Sequence, residues 1–185
     1  MNGYQRIMKA MSHEKPDRTP IAEFIIDKNV YRHFFPDANS QLDLEIAWDF
    51  DAVGCGVRFN PVEQLSEKTF IDEWQVTYQC NAEEVAHPIK GCINTMEDLR
   101  NYTPPDPYDP DRLGRLPELV KKYKGEKAIV FHQRAAFMWS CYLMGIDRFL
   151  MNFILEPELC HSILDMVLDV NIKIVRQAIQ AGADI

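Results

Sequence analysis

The chain has 185 residues, of which 46% are hydrophobic and 26% are charged, a balance that is typical of a folded globular protein and excludes disorder. Its formal net charge of -8 and the absence of a dense Lys and Arg cluster argue against nucleic-acid and membrane partners, because both are polyanions. A cytoplasmic protein is predicted, because the five cysteines are widely spaced without a Cys-x-x-Cys pair, and neither a signal peptide nor about 18 consecutive apolar residues occurs.

The first half of the chain predicts helices and short buried strands. Apolar residues at helical spacing over 4–11 predict an opening helix. The runs 21–26 and 51–57 predict buried strands, and about two turns of helix beginning near Leu42 separate them. Alternation over 69–78 predicts a strand pair or an excursion from the main sheet.

The second half predicts helices that alternate with strands. In chain order the predicted elements are a helix from Thr95, a proline-rich loop over 102–110, a helix over 111–122, a strand over 128–131, helices over 136–144 and 148–155, and a helix from Pro157 to a cap at Gly182. Residues 183–185 begin a further strand. Alternating strands and helices favour a parallel α/β sheet, and we expect that the sequence stops before this fold is complete.

Five short motifs occur along the chain. They are Arg6-x-x-x-Ala10-x-x-His13-x-x-Pro16-Asp17-Arg18-x-Pro20, Phe50-Asp51-Ala52-Val53, Met96-Glu97-Asp98-Leu99, Tyr142-Leu143-Met144-Gly145 and Ala181-Gly182-Ala183-Asp184. In this order they resemble the uroporphyrinogen decarboxylase superfamily. The resemblance implies the N-terminal part of a TIM (β/α)8 barrel, in a single C-terminally truncated domain over 1–185, with its active site at the C-terminal ends of the strands.

The superfamily has two main chemistries, which are decarboxylation of uroporphyrinogen and methyl transfer between a corrinoid protein and a small acceptor. Decarboxylases carry Arg-x-x-x-Arg-Tyr after the first strand, because a substrate with eight carboxylates needs fixed guanidinium groups. Residues 24–33 depart from that motif, and Arg58 stands where decarboxylases place an aspartate. The Asp-Glu-Trp triplet at 72–74, followed by His-Pro at 87–88, resembles the methyltransferase-like members. We therefore predict a methyltransferase-like enzyme.

Two alternatives stay open. One is an authentic uroporphyrinogen decarboxylase with a tetrapyrrole substrate. The other is a non-catalytic chain that persists as a homo-oligomer, because an open half-barrel exposes strand edges. The resemblance implies no cofactor in this half, and it places zinc ligands and the site for a corrinoid partner in the full-length protein. The chain alone is expected to be inactive.

Six residues are candidates for the site. The predicted catalytic residues are Tyr142, His132 and Asp72, and the predicted residues for binding a small-molecule or tetrapyrrole substrate are Arg58, Arg134 and Glu23. No metal ligand is predicted.

These assignments are based on position relative to the predicted strands and on the resemblance to the family. His132 and Arg134 follow the strand at 128–131, and the ends of parallel barrel strands face the active site. The resemblance places Tyr142 near the substrate. Asp72 is a candidate acid or base if it is buried. Structural roles remain open for all of them, as strand caps, ion-pair partners, core aromatics or exposed turn carboxylates.

Overall fold

The computed structural model describes residues 1–23, 25–81 and 85–185. These residues form a mixed α/β architecture with one parallel and one antiparallel sheet. The helices are α1 (Gly3–Met11), α2 (Lys28–Phe34), α3 (Gln41–Ala47), α4 (Met96–Asn101), α5 (Leu116–Tyr123), α6 (Ala136–Met144), α7 (Ile146–Leu155) and α8 (Pro157–Ala181). The strands are β1 (Ala52–Gly56), β2 (Pro61–Ser66), β3 (Thr69–Asp72), β4 (Thr77–Cys80), β5 (Ala86–Lys90) and β6 (Ala128–His132).

The chain divides into two compact units. The first unit comprises Met1–Val57, Leu113–Gln133 and Arg176–Ile185. The second unit comprises Arg58–Arg112 and Arg134–Val175. Of the helices in the described part of the chain, none is both long and apolar enough to cross a membrane.

The first unit is built on the parallel pair of β1 and β6, whose register aligns Ala52 with Ala128. One face of this pair packs against α5 through a cluster that includes Val53, Ile129 and Leu116. The other face packs against Ile7 of α1. Burial on both faces is typical of parallel strands and explains their continuous apolar sequences.

The two buried strands predicted at 51–57 and 128–131 are confirmed with small changes of boundary. Residues 184–185 also hydrogen-bond to β6, since the N–H groups of Asp184 and Ile185 donate to the carbonyl of Ile129. The strand predicted over 21–26 is wrong for its described residues, which lie in no strand, and residue 24 of it lies outside the described residues.

A buried carboxylate anchors that N-terminal segment instead of a strand ladder. Asp51 is 1% exposed, and its oxygens accept from the guanidinium of Arg6 at 2.7 Å, from that of Arg18 at 2.6 and 3.0 Å, and from the N–H of Ile21 at 2.7 Å. Burial opposes its charge, but the N–H of Ile21 and the two guanidinium groups outweigh it and lower the pKa of Asp51. Two of the family-like motifs therefore meet at one ion network.

The second unit contains a four-stranded antiparallel sheet in the order β2-β3-β4-β5. Of the two alternatives predicted over 69–78, the strand pair is confirmed as β3 and β4, whose register aligns Ile71 with Thr77. The outer strands β2 and β5 were not predicted. They are largely exposed, so they lack the apolar alternation that marks a half-buried strand.

The helix predicted over 111–122 is wrong at its start, because α5 begins at Leu116. The preceding residues form turns around the buried side chain of Arg112. Its guanidinium donates to the carbonyl of Asp106 at 2.7 Å and to that of Arg58 at 2.6 Å, and it lies 4.5 Å from the ring centroid of Phe59. Because these contacts hold Arg112 against the carbonyls of Asp106 and Arg58, the backbone around Arg112 forms turns and does not extend α5 towards the N-terminus.

Replacing Asp51 with Asn tests the ion network. We expect the free energy of unfolding of Asp51→Asn to fall by about 3 kcal/mol, because an amide offers one acceptor where two guanidinium groups need a carboxylate, and both cations lose their buried counter-charge. Urea denaturation followed by circular dichroism measures the change. Asp49→Asn is the matched control, since the Asp49 side chain is 87% exposed and should contribute little. Equal losses in the two variants would contradict a stabilising role for the network.

Candidate functional site

Asp72 ends β3 and closes the hairpin that leads to β4. Its backbone N–H donates to the carbonyl of Val76 at 3.1 Å, and its Oδ1 accepts from the N–H of Val76 at 3.1 Å. Gln75 takes a positive φ of 56°, which completes the tight turn. The carboxylate is thereby held inside the unit, and Asp72 is 4% exposed.

Burial raises the pKa of Asp72 to about 6, against hydrogen bonds from the N–H of Val76 and the hydroxyl of Tyr78. Burial and the neighbouring Asp72 also raise the pKa of Tyr78, so this phenol stays protonated and donates. A carboxyl group that titrates near neutral pH can hold or release a proton under ordinary conditions. Asp72 is therefore not an exposed turn carboxylate, and its acid or base role stays a prediction.

Three of the six predicted residues come together around Tyr78. The ring of Tyr142, on α6, lies edge-on to the ring of Tyr78 with their centroids 6.3 Å apart. The guanidinium carbon of Arg134 lies 5.6 Å from the centroid of the Tyr142 ring. We call Asp72, Tyr78, Tyr142 and Arg134 the Asp72 cluster. It runs from a buried carboxyl group to an exposed cation within the second unit.

The Asp-Glu-Trp triplet divides into three roles. Asp72 belongs to the cluster, whereas Glu73 makes an ion pair with Arg112 at 2.6 Å and accepts from the N–H of Asn60 at 2.7 Å. Trp74 is fully buried and stacks on Trp139 with centroids 5.2 Å apart. Glu73 and Trp74 thus stabilise the unit, and of the two carboxylates in the triplet, only Asp72 makes no ion pair in the described part of the chain.

Arg58 lies near the turn that Arg112 organises. Its Nε donates to the side chain of Asn60 at 2.9 Å, and its backbone N–H and carbonyl both bond to Arg112. The side chain is exposed, so a role in binding an anion stays a prediction.

A cavity of about 450 Å³ lies in the second unit, and Tyr142 forms part of its wall. Lys90 of β5 and Arg148 of α7 also line it, together with Asp147. Its volume falls in the range of small-molecule sites, about 300 to 1,000 Å³. Tyr142 is the residue that belongs both to this cavity and to the Asp72 cluster.

The remaining two predicted residues, Glu23 and His132, line a small cavity in the first unit, which we call the Glu45 cavity. Its volume is about 20 Å³, and Glu45 of α3 forms part of its wall. The imidazole of His132 lies over Gly56, where an added Cβ would come within 2.9 Å of the ring. Position 56 of β1 must therefore be a glycine for the imidazole ring to lie there.

The described residues do not fit a zinc ion. They contain no group of three or more His, Cys, Asp or Glu side chains that could hold a metal. Burial raises the pKa of Cys55 and of Cys92 to about 11, which disfavours the thiolate form that zinc needs.

Sequence reasoning missed Tyr78, Arg112 and Glu45. Tyr78 pairs with Phe70 across the hairpin, two positions from Asp72 on the same strand, so the hairpin register was a usable signal for Tyr78. Arg112 lies in a polar stretch and Glu45 lies between Leu44 and Ile46, and the burial of both charged side chains comes from tertiary packing that no local pattern reports.

Comparison with known proteins gives a family and a fold. The family model described as "Uroporphyrinogen decarboxylase (URO-D)" matches residues 76–185. A solved structure of a methyltransferase from Methanosarcina mazei superposes with a TM-score of 0.62 at 13% sequence identity. The superposition covers 100% of this chain and 57% of that one, so the chain spans little more than half the length of the methyltransferase. No curated protein matches the chain.

The raised pKa of Asp72 predicts a pH-dependent stability. Because the folded state holds this proton more tightly than the unfolded chain does, the contribution of Asp72 is favourable below about pH 4 and is lost as the pH rises through about 6. Asp72→Asn cannot ionise at this position. As the pH rises between these limits, we expect its free energy of unfolding to increase by about 3 kcal/mol relative to that of the unsubstituted chain. Urea denaturation at a series of pH values measures it. The exposed substitution Asp111→Asn is the control, and a gain no larger for Asp72→Asn than for this control would show that Asp72 ionises normally.

Proposed function

This chain belongs to the uroporphyrinogen decarboxylase (URO-D) family, and from that premise we propose that it takes part in methyl transfer between a corrinoid protein and a small acceptor. The Asp72 cluster beside a cavity of about 450 Å³ is the observation that carries the proposal. We further propose that β1 and β6 are neighbouring strands of a TIM (β/α)8 barrel. Their parallel pairing and the likeness to the fold of the methyltransferase support this.

The cavity suits a small acceptor better than a tetrapyrrole. Its volume of about 450 Å³ matches a small molecule. Lys90 and Arg148 supply positive charge at its wall, which favours an acceptor with an anionic group. In this proposal Tyr142 contacts the acceptor and Arg134 orients it.

Methyl transfer to a thiol or a similar acceptor releases the proton that the acceptor carried. A carboxyl group with a pKa of about 6 is matched to accept such a proton near neutral pH. In the proposal, Asp72 takes this proton through the hydroxyl of Tyr78, to which it is hydrogen-bonded. Burial keeps the carboxyl group away from competing water.

Arg58 and residues 24–33 weigh against decarboxylation. Uroporphyrinogen carries eight carboxylates, and its recognition calls for several fixed guanidinium groups. The region after residue 23 offers Lys28 and Arg32 on α2 instead of a paired-arginine motif. Arg58, moreover, has only donors, so it cannot accept the pyrrole N–H groups as an aspartate does.

Binding distinguishes the two chemistries without requiring turnover. We expect isothermal titration calorimetry to detect binding of methylcobalamin, as a probe for the corrinoid, to the 185-residue chain, and to detect none for uroporphyrin. Arg134→Gln should weaken the binding of mercaptoacetate, an anionic thiol used as a probe for the acceptor, roughly fivefold, which corresponds to the loss of one exposed cationic contact. Arg100→Gln, an exposed arginine on α4, is the matched control. Binding of uroporphyrin without binding of methylcobalamin would replace the proposal with decarboxylation.

We propose that the chain by itself does not turn over. Its described residues supply no metal-binding group, and it spans 57% of the length of the methyltransferase with which it shares a fold. Anaerobic incubation with methylcobalamin and a thiol, followed by absorbance, is expected to show no thiol-dependent demethylation. Demethylation that disappears in Tyr142→Phe would contradict this expectation and would establish a complete site in these residues.

A further inference from the structure

A cavity of about 280 Å³ lies in the first unit, around the loop between α2 and α3. We call it the Phe34 cavity. Its wall consists of two aromatic rings, two carboxylates and two small apolar residues, which are Phe34, Phe35, Asp37, Asp43, Pro36 and Ala38. Small-molecule sites begin at about 300 Å³, whereas a single water needs roughly 10 to 15 Å³. The cavity therefore has room for a small organic group.

Aromatic side chains at this cavity are exposed to solvent. Phe34 is 56% exposed, and Trp48, which directly follows α3, is 44% exposed. The ring of Trp48 lies edge-on to that of Phe34 with centroids 5.3 Å apart, and to that of Phe35 with centroids 6.0 Å apart. Trp48 thus packs against both phenyl rings of the wall and restricts their positions. Large apolar side chains that cluster at a surface mark a binding site.

Both carboxylates of the wall retain acceptor capacity. Oδ2 of Asp43 accepts from the N–H groups of Asn39 at 2.8 Å and Ser40 at 2.9 Å, whereas its Oδ1 accepts no hydrogen bond from the described residues. These N–H groups, together with Arg115 outside the cavity wall, lower the pKa of Asp43 and keep it ionised. The side chain of Asp37 is exposed and has no partner in the described part of the chain.

Rings and carboxylates together favour a cation of a particular kind. Among the described residues that line the cavity there is no cationic side chain, since Arg32 and His33 lie on α2 outside its wall. Phenyl rings attract a cation through their negative faces but offer no lone pair to an N–H group. A primary ammonium would lose hydration without gaining enough acceptors, whereas a quaternary ammonium has no N–H group and packs its methyl groups on the rings.

We propose that the Phe34 cavity binds the quaternary ammonium group of a small molecule. The methyl groups of the ligand contact the rings of Phe34 and Phe35, and its charge lies beside the carboxylates of Asp37 and Asp43. This site lies wholly within the first unit and is independent of the proposed methyl transfer, so either proposal can fail without the other.

Choline chloride is the probe, observed by NMR of the whole chain through the indole N–H of Trp48 and the backbone N–H of Ala38. We expect saturable shifts of both signals, with a dissociation constant of millimolar order, because exposed cation–π contacts are weak. The neutral isostere of choline, in which carbon replaces the nitrogen, should bind at least about tenfold more weakly. Ethanolamine, which carries a primary ammonium on the same chain, should bind roughly fivefold more weakly.

Each comparison has an outcome that overturns the proposal. The absence of shifts with choline would leave the cavity without this ligand, and identical shifts with sodium chloride at the same ionic strength would show a general ionic effect. Equal affinity for the neutral isostere would show an apolar site that does not recognise charge, and equal affinity for ethanolamine would show a general cation site. Cosedimentation of the chain with phosphatidylcholine vesicles, which we do not expect, would replace the small molecule with a lipid headgroup.

Two variants test the wall. Asp37→Asn should weaken choline binding roughly threefold, the loss expected for one exposed charge, and Glu126→Gln, exposed in the same unit, is its control. Phe34→Leu keeps an apolar side chain but removes the ring, and it should weaken binding roughly fivefold. Its control is Val30→Ala, because Val30 is 46% exposed on α2 and does not line the cavity. Equal affinity in Asp37→Asn and Glu126→Gln would overturn the assignment even if Phe34→Leu failed to fold.

Discussion

The carboxylate of Asp51 is the constraint on which the first unit depends. It is buried at the start of β1, so it must be compensated there, and Arg6, Arg18 and the N–H of Ile21 supply that compensation. The requirement ties α1 and the turn after it to the parallel strand pair. It also gives a physical reason why two of the family-like motifs occur together, because the arginines of the first motif make ion pairs with the aspartate of the second.

Arg112 has the corresponding place in the second unit, with the signs of charge exchanged. A single buried guanidinium satisfies two backbone carbonyls and Glu73, and it lies over the ring of Phe59. These contacts fix the segment before β2 and the hairpin that carries Asp72 in one unit. Because Glu73 is paired with Arg112, Asp72 has no cationic partner among the described residues, and burial raises its pKa without an opposing positive charge.

The sequence predicts those parts of the fold that are buried on both faces. The strands at 51–57 and 128–131 were recognisable because parallel core strands are continuously apolar. The exposed strand β2 and the short polar helix α2 have no such pattern. For the site, Asp72, Tyr142 and Arg134 were predicted and meet around Tyr78, but the burial that changes the chemistry of Asp72 and of Glu45 arises from residues distant in sequence and could not be predicted from local patterns.

Four carboxylates differ in whether a positive charge offsets their burial, and this difference separates those that stabilise the fold from those that can exchange a proton. Asp51 and Glu73 are matched by guanidinium groups, and neither takes part in a proposed step. Asp72 is buried with neutral donors alone, so its proton affinity rises. Glu45 is buried as well, and burial raises its pKa against the hydrogen bond that it accepts from Gln41. The less completely the fold compensates a buried carboxylate, the more tightly that carboxylate holds a proton, and among these four carboxylates the pKa is raised for Asp72 and for Glu45.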